Sequence, residues 1–199
     1  AETVIRLGDE VLFEELSSQN IKAFKATGAN TIVTASPHDF NVFVKDYPNL
    51  KDDFEIKHYT EFLAQKVDEK KDQFKKEMDI KVTYQDPCYL SKHHGIVEAP
   101  RQLLRAVPKL ELVEMKLNGK DNLCCGGGGG RMFTEVEEEK RLSDMRVVQA
   151  LEVGANLIAT ACPWCHIMLE NAVRDLGVED KIRIMDISCL LYTSPSPRD

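Results

Sequence analysis

The sequence predicts an α/β fold: parallel strands flanked by helices, in tandem, with the first copy partial. Two observations carry this. Gly28-Ala-Asn-Thr-Ile-Val-Thr-Ala-Ser-Pro-His-Asp39 matches Gly154-Ala-Asn-Leu-Ile-Ala-Thr-Ala-Cys-Pro-Trp-Cys165 at seven of twelve positions, at an offset of 126. A solenoid period would be much shorter, so the match reads as a duplicated domain. Second, β-rich runs alternate with helical patterns, as parallel strands joined through helices require.

Each copy has the same order of elements. A long amphipathic helix comes first, with Leu12, Leu16 and Phe24 expected on one face in copy one, and Met145, Val148 and Leu151 in copy two. Met145 is accordingly expected in the core. Gly28 and Gly154 stand where a helix C-terminal glycine belongs. The runs Thr31–Ala35 and Leu157–Ala161 read as short strands, and Pro37 and Pro163 as first-turn residues of the next helix. Copy two is preceded by a strand signal at Ile80–Tyr84, a helix over Ala99–Val107 and a strand over Leu110–Met115, whose counterparts copy one lacks. The charged segment Val67–Met78 reads as a solvated helix and linker. The division expected is therefore 1–75 for the end of a first domain and 79–188 for a second.

The last eleven residues, Cys189-Leu-Leu-Tyr-Thr-Ser-Pro-Ser-Pro-Arg-Asp199, show no helical or strand period. All eleven match the translation of a transposon-type sequencing adapter, so 189–199 is read as an adapter-derived tail and set aside. Ala1 is not a start residue either, and a fragment cut at both ends is expected.

Composition excludes several classes. A net charge of −7 without a basic run argues against nucleic-acid binding. No apolar stretch reaches the roughly 18 residues of a membrane span. Six cysteines in 199 residues are sparse for a secreted disulfide scaffold, and their grouping resembles ligand spacing.

Without the tail, five cysteines remain: Cys88, Cys124, Cys125, Cys162 and Cys165, spaced C-x35-C-C-x36-C-x2-C. Each group is expected after a strand, at the sheet edge where ligands of parallel α/β folds bind. The later groups are expected near helix N-termini, which favour thiolate, the form that binds soft metals. The run Gly126–Gly130 suits a backbone that closely approaches an anionic group, its N–H donors turned toward sulfur. Three chemistries compete. A structural zinc site needs four ligands, and five thiols with one Cys-x-x-Cys fit it poorly. A Cys-Pro-Trp-Cys redox dithiol leaves three cysteines unexplained. An iron–sulfur cluster uses all five.

Asp86-Pro-Cys88-Tyr, Cys124-Cys125-Gly126 with its glycine run, and Cys162-Pro-Trp-Cys165 together resemble the CCG, or cysteine-rich, domain of heterodisulfide reductase-related iron–sulfur proteins. The resemblance covers residues 1–188 and implies tandem CCG-type domains. It also implies one noncubane [4Fe–4S] cluster on Cys88, Cys124, Cys125, Cys162 and Cys165, with Gly126, Gly127 and Gly128 beside it. Gly95–Met115 looks most like the heterodisulfide reductase-like and electron-transfer-flavoprotein-linked branch. The implied function is an oxidoreductase module in electron transfer or disulfide reduction. A relay between electron-transfer flavoprotein and quinone is the alternative, and a structural zinc domain used as an interaction scaffold is another. The implied partners are an electron-donating flavoprotein or a ferredoxin-type domain, and a small thiol or disulfide substrate. The implied location is the cytoplasm, or its membrane face through regions outside this segment.

Copy one departs from the family pattern. Ser36-Pro37-His38-Asp39 stands where Cys-Pro-x-Cys belongs, so no cluster is expected there; His38 and Asp39 alone fall short of a zinc site. Among other residues, His93 and His94 are candidates for proton delivery or substrate contact, against a surface-loop reading. Arg131 could offset cluster charge, Trp164 is expected to shield the cluster, and His58 to be structural.

Overall fold

The computed structural model describes residues 1–67, 77–134 and 141–191. The first part of the chain runs α1 (Glu2–Arg6), α2 (Glu10–Ala26), β1 (Thr31–Thr34), α3 (Pro37–Lys45), α4 (Leu50–Asp53), β2 (Glu55–His58) and α5 (Tyr59–Val67). The second runs β3 (Ile80–Tyr84), α6 (Glu98–Arg105), β4 (Leu110–Leu112), α7 (Leu142–Glu152), β5 (Leu157–Thr160), α8 (Pro163–Asp175), β6 (Arg183–Asp186) and α9 (Ile187–Leu191). All strand pairs among the described residues are parallel. β1 pairs with β2, and the other four strands form a sheet in the order β4-β3-β5-β6.

Local chemistry sets the element ends. Asp9 accepts the Leu12 N–H at 3.0 Å and starts α2. Ser36 accepts the Asp39 N–H at 3.2 Å and starts α3, with Pro37 in the first turn. Gly28 and Gly154 follow α2 and α7 with φ of 68° and 70°, the left-handed backbone a glycine adopts freely.

The four-stranded sheet is covered on both faces. Leu157 and Ala159 of β5 point into one apolar cluster with Val82, Leu103, Leu104 and Ile187. Ile158 points into the other with Val147, Ala150, Leu169 and Ile182. This is why β5 is buried along its whole length and reads as a continuous apolar run. The first part has its own cluster around Phe13, Val42, Tyr47, Leu50 and Phe54. The two parts meet through Ala64 and Val67, which join the first sheet-face cluster, and through the Tyr59 hydroxyl, which donates to Asp186 at 2.9 Å.

Several expectations are corrected. Leu12 is exposed, and α2 buries Phe13 and Ser17 instead. Met145 and Val148 are 48% and 44% exposed, while Arg146, Val147 and Ala150 are buried. α7 is turned so that the Arg146 guanidinium, which must satisfy its donors, reaches buried acceptors, and apolar periodicity cannot register this. Cys189–Leu191 continue α9 and Leu190 is buried, so these residues do carry a helical pattern. The expected linker 67–78 falls mostly outside the described residues.

Candidate cysteine site

A hydrogen-bond network rooted in Gln85 and Asp86 brings the three cysteine segments together. These residues follow β3 and are fully buried. Arg101 of α6 donates from Nη1 and Nη2 to the two Asp86 oxygens, at 2.8 Å each, and from Nε to Glu114 at 2.7 Å. Asp86 Oδ2 also accepts the Gly119 N–H at 2.7 Å, and its carbonyl accepts the Asn122 side-chain amide. The Gln85 amide donates to the Leu123 carbonyl at 3.2 Å. The end of β3, which leads to Cys88, is thus tied to the loop that leads to Cys124 and Cys125. That loop follows a short 3₁₀ turn, Gly119–Asp121, rather than a strand, and no α-helix begins at the cysteine pair. The expected helix N-terminus at Cys124–Cys125 is therefore corrected. Cys88 opens a single π-helical turn, Tyr89–His93, and Cys162 is the N-cap of α8, with Cys165 in its first turn.

All five thiols meet. Cys88 contacts Cys124, Cys124 contacts Cys125, Cys125 contacts Cys165, and Cys165 contacts Cys162. Every cysteine is a free thiol, and Cys125, Cys162 and Cys165 are buried against Trp164 and Met168. Crowding divides their protonation. Hydrogen bonds from Cys125 and Cys88, then the Gly126 N–H, hold Cys124 far below the usual thiol range. Cys162 is drawn down to about 6, because Cys165 and His38 outweigh the effect of burial. Cys88, Cys125 and Cys165 are pushed up, chiefly by their thiol neighbours. Five sulfurs confined this closely cannot all be anionic without a cationic centre among them.

The glycine run supplies donors and room. The Gly126 N–H donates to Cys124 Sγ at 3.3 Å, and the Gly127 N–H faces Cys125. A Cβ on Gly127 would stand 2.7 Å from Met168 Cγ, and one on Gly128 would stand 3.1 Å from His38 Cε1.

Beneath the thiols lies Arg146, fully buried. Its Nε donates to Gln85 Oε1 at 2.6 Å, and its Nη1 to the Leu117 carbonyl at 2.8 Å and Gln149 Oε1 at 2.7 Å. These acceptors are neutral, and Nη2 has no partner among the described residues. Burial draws this guanidinium down to about 10, against the pull of Asp86, Cys165 and Cys125. A buried cation with neutral partners fits beside an anionic group. Thiolate donors, inward N–H groups and this cation together fit an anionic sulfur-ligated metal group.

The first repeat also reaches the site. His38 is the residue that the repeat aligns with Trp164, and its ring stands 6.1 Å from the indole, 4.5 Å from the Tyr89 ring, and in contact with Cys162. Its Nδ1 is 3.5 Å from Glu2 Oε1, an ion-pair distance without hydrogen-bond geometry. Burial opposes its protonation, but Cys162 and Glu2 raise it to about 9.

The other candidates lie elsewhere. The His94 ring hydrogen-bonds Asn41 Oδ1 at 3.0 Å, and His93 packs beside Tyr89 at 4.8 Å. Neither makes a described contact with a thiol. His58 is buried against Thr60 and the Ala35 carbonyl. Arg131 is exposed, on the rim of a polar cleft that reaches Cys125 between Ser143, Asn171 and Asp175. Arg146, Glu2 and the His38–Cys162 contact were not foreseen. The only sequence signal for Arg146 is a charged residue on a helix beside apolar ones, which ordinarily means a solvated face. Among the described residues, no three His, Cys, Asp or Glu side chains form a single-ion metal site.

Comparison with known proteins agrees with the residue pattern. The chain is 36% identical over 193 residues to a probable iron–sulfur-binding oxidoreductase, FadF, of Bacillus subtilis, covering 97% of this chain and 27% of that protein. It is 34% identical over 194 residues to EtfAB:quinone oxidoreductase of Syntrophomonas wolfei, covering 94% of this chain and 27% of that protein. It is 35% identical over 176 residues to one of the subunits of the dihydromethanophenazine:CoB–CoM heterodisulfide reductase of Methanosarcina acetivorans, covering 85% of this chain and 43% of that protein. The chain thus spans less than half the length of each. Residues 2–42 and 82–170 match the CCG family, described as a cysteine-rich domain, and with all five cysteines of the pattern gathered at one place the chain belongs to that family.

Proposed function

We propose that this chain is an iron–sulfur oxidoreductase module in which Cys88, Cys124, Cys125, Cys162 and Cys165 hold one noncubane [4Fe–4S] cluster. The observation that carries this is the continuous run of five free thiols, one more than a zinc ion takes, over a buried cation with neutral partners. The relatives' names support iron–sulfur redox chemistry. When bound, such a cluster supplies one-electron chemistry and an iron open to a sulfur ligand. The residues of the chain do the rest. Gly126 and Gly127 donate N–H groups to ligand sulfurs, Arg146 balances negative charge from below, and Trp164 and Met168 cover the thiols. The polar cleft beside Cys125 gives a small thiol or disulfide a route to the site.

In this reading residues 79–188 form the cluster-binding domain, 1–75 the end of a first domain with its cysteines replaced, and 189–199 an added tail. Electrons arrive from a flavoprotein or a ferredoxin-type domain, in the cytoplasm or at its membrane face. Pure relay between flavoprotein and quinone is the second reading, favoured by the similarity to EtfAB:quinone oxidoreductase.

Iron and acid-labile sulfide analysis of anaerobically isolated protein tests the proposal. Near-stoichiometric iron and sulfide are expected, lost in Cys124→Ser and kept in Cys189→Ser. A colourless protein carrying zinc would overturn it. A thiol that perturbs the cluster's EPR signal separates disulfide chemistry from relay.

A further inference from the structure

The first repeat has lost the cysteines that its position in the family calls for, yet its replacement loop is not idle. Ser36 caps α3 and places His38 in the first turn, as Cys162 caps α8 and places Trp164. The two loops face each other across the repeats. The His38 side chain is only 6% exposed, it contacts Cys162, and its Nδ1 is turned toward Glu2. Tyr89 packs edge-on against the ring, and its hydroxyl donates to the same Glu2 oxygen at 3.2 Å. Gly128, without a side chain, leaves room for the imidazole edge. Glu2, Tyr89 and Gly128 thus enclose the imidazole beside Cys162.

We infer that His38 is a positioning residue of the site: held by Glu2, Tyr89 and Gly128, its imidazole donates a hydrogen bond across the two repeats to the Cys162 sulfur and raises the reduction potential of the redox group that Cys162 ligates. The inference rests on the proposed cluster. Its physical basis is the added electron. Reduction increases negative charge on the ligand sulfurs, and an N–H donor to sulfur stabilises the more negative state more than the less negative one. The buried setting strengthens the effect, because water does not screen the contact. Glu2 faces the ring at Nδ1, 3.5 Å away, an ion-pair distance. The degenerate repeat thus acts on the redox centre of its intact neighbour.

The test measures midpoint potentials of anaerobically isolated wild-type chain, His38→Phe and His38→Gln by EPR-monitored titration, with iron and sulfide content determined for each. His38→Phe keeps ring packing and loses the donor. Its potential is expected to fall by about tenfold in the oxidised-to-reduced ratio, about 59 mV for one electron. His38→Gln, which retains an N–H donor, is expected to fall less. Wild-type potentials in both variants, with iron and sulfide unchanged, would overturn the inference and leave the cluster proposal standing. A wild-type chain without iron or sulfide would overturn both. If the variants do not assemble, the wild type labelled with 15N in its imidazoles decides. Coupling of a histidine nitrogen to the reduced centre, unchanged in His94→Gln, supports the role, and its absence overturns it.

Discussion

The two repeats share a backbone and differ in chemistry. In each, a glycine near φ +70° ends a helix, a strand follows, and a proline opens the next helix. Each then adds a parallel strand in the same register: Thr31 faces Glu55 and Thr34 faces His58, as Leu157 faces Arg183 and Thr160 faces Asp186. At the helix starts, Ser36 and Cys162 both lie in extended backbone as N-caps. Ser36 uses its side chain to bond the Asp39 N–H, whereas Cys162 turns its sulfur to the other thiols and to His38. The scaffold therefore does not depend on the cysteines. An N-cap position thus accommodates either a local capping oxygen or a sulfur turned to other thiols, without change of backbone.

Exchange of these residues is the strongest way to break the comparison. Cys162→Ser with Cys165→Asp rewrites the second loop as the first, and complete loss of bound iron is expected while the fold persists by circular dichroism. The reverse pair, Ser36→Cys with Asp39→Cys, is expected to add no iron per chain. Residues 1–67 hold no cysteine of their own to join the new pair, and two thiolates do not complete a site. A second equivalent of iron and sulfide would show that the repeat had kept a latent site.

Much of this contrast was legible in the sequence, for definite reasons. Strands β1, β3 and β5 stand out because β-rich runs lie between glycine, proline and polar residues, and the five cysteines declare themselves by spacing. The means of their convergence was not legible. Asp86, Arg101 and Glu114 are far apart in the chain, and nothing local marks them as one network. The buried faces of α2 and α7 were misjudged because periodicity counts apolar residues, whereas Arg146 turns α7 by its hydrogen bonds. His38 was legible as the residue equivalent to Trp164 but not as a contact across the repeats, because sequence repeats show equivalence and not proximity.

The second repeat also carries a buried ion pair in the segment before its cysteine pair. Arg101 and Asp86 have side chains 4% and 1% exposed, joined by two hydrogen bonds. Removing one partner leaves a buried charge, which costs about 3–5 kcal/mol. Arg101→Met is therefore expected to lower unfolding stability by that amount in denaturant titrations. It is also expected to loosen the Gly119–Asn122 turn that Asp86 holds, so bound iron should fall even in protein that remains folded. Unchanged stability would mean that Asp86 finds its partners elsewhere.

The smallest expected effect concerns the equivalent strand ends, where His58 of β2 corresponds to Asp186 of β6. His58 is fully buried among Thr60, Phe40, Tyr59 and the Ala35 carbonyl, with Asp186 as the nearby charge. Burial holds its pKa at about 4, against an ordinary value of 6.5. The unfolded chain therefore takes up a proton at this residue below about pH 6.5, and the folded chain does not until about pH 4. Stability present above pH 6.5 is lost as the pH falls through that window, by about 3 kcal/mol at the limit. His58→Gln is expected to have lower stability at pH 7 but a smaller drop between pH 7 and pH 4, measured by urea unfolding at each pH. The difference between the two slopes isolates His58 from the carboxylates, which titrate in both proteins. Parallel slopes would show that the ring is protonated as readily inside the fold as outside it, and that the strand end of the first repeat tolerates a positive charge.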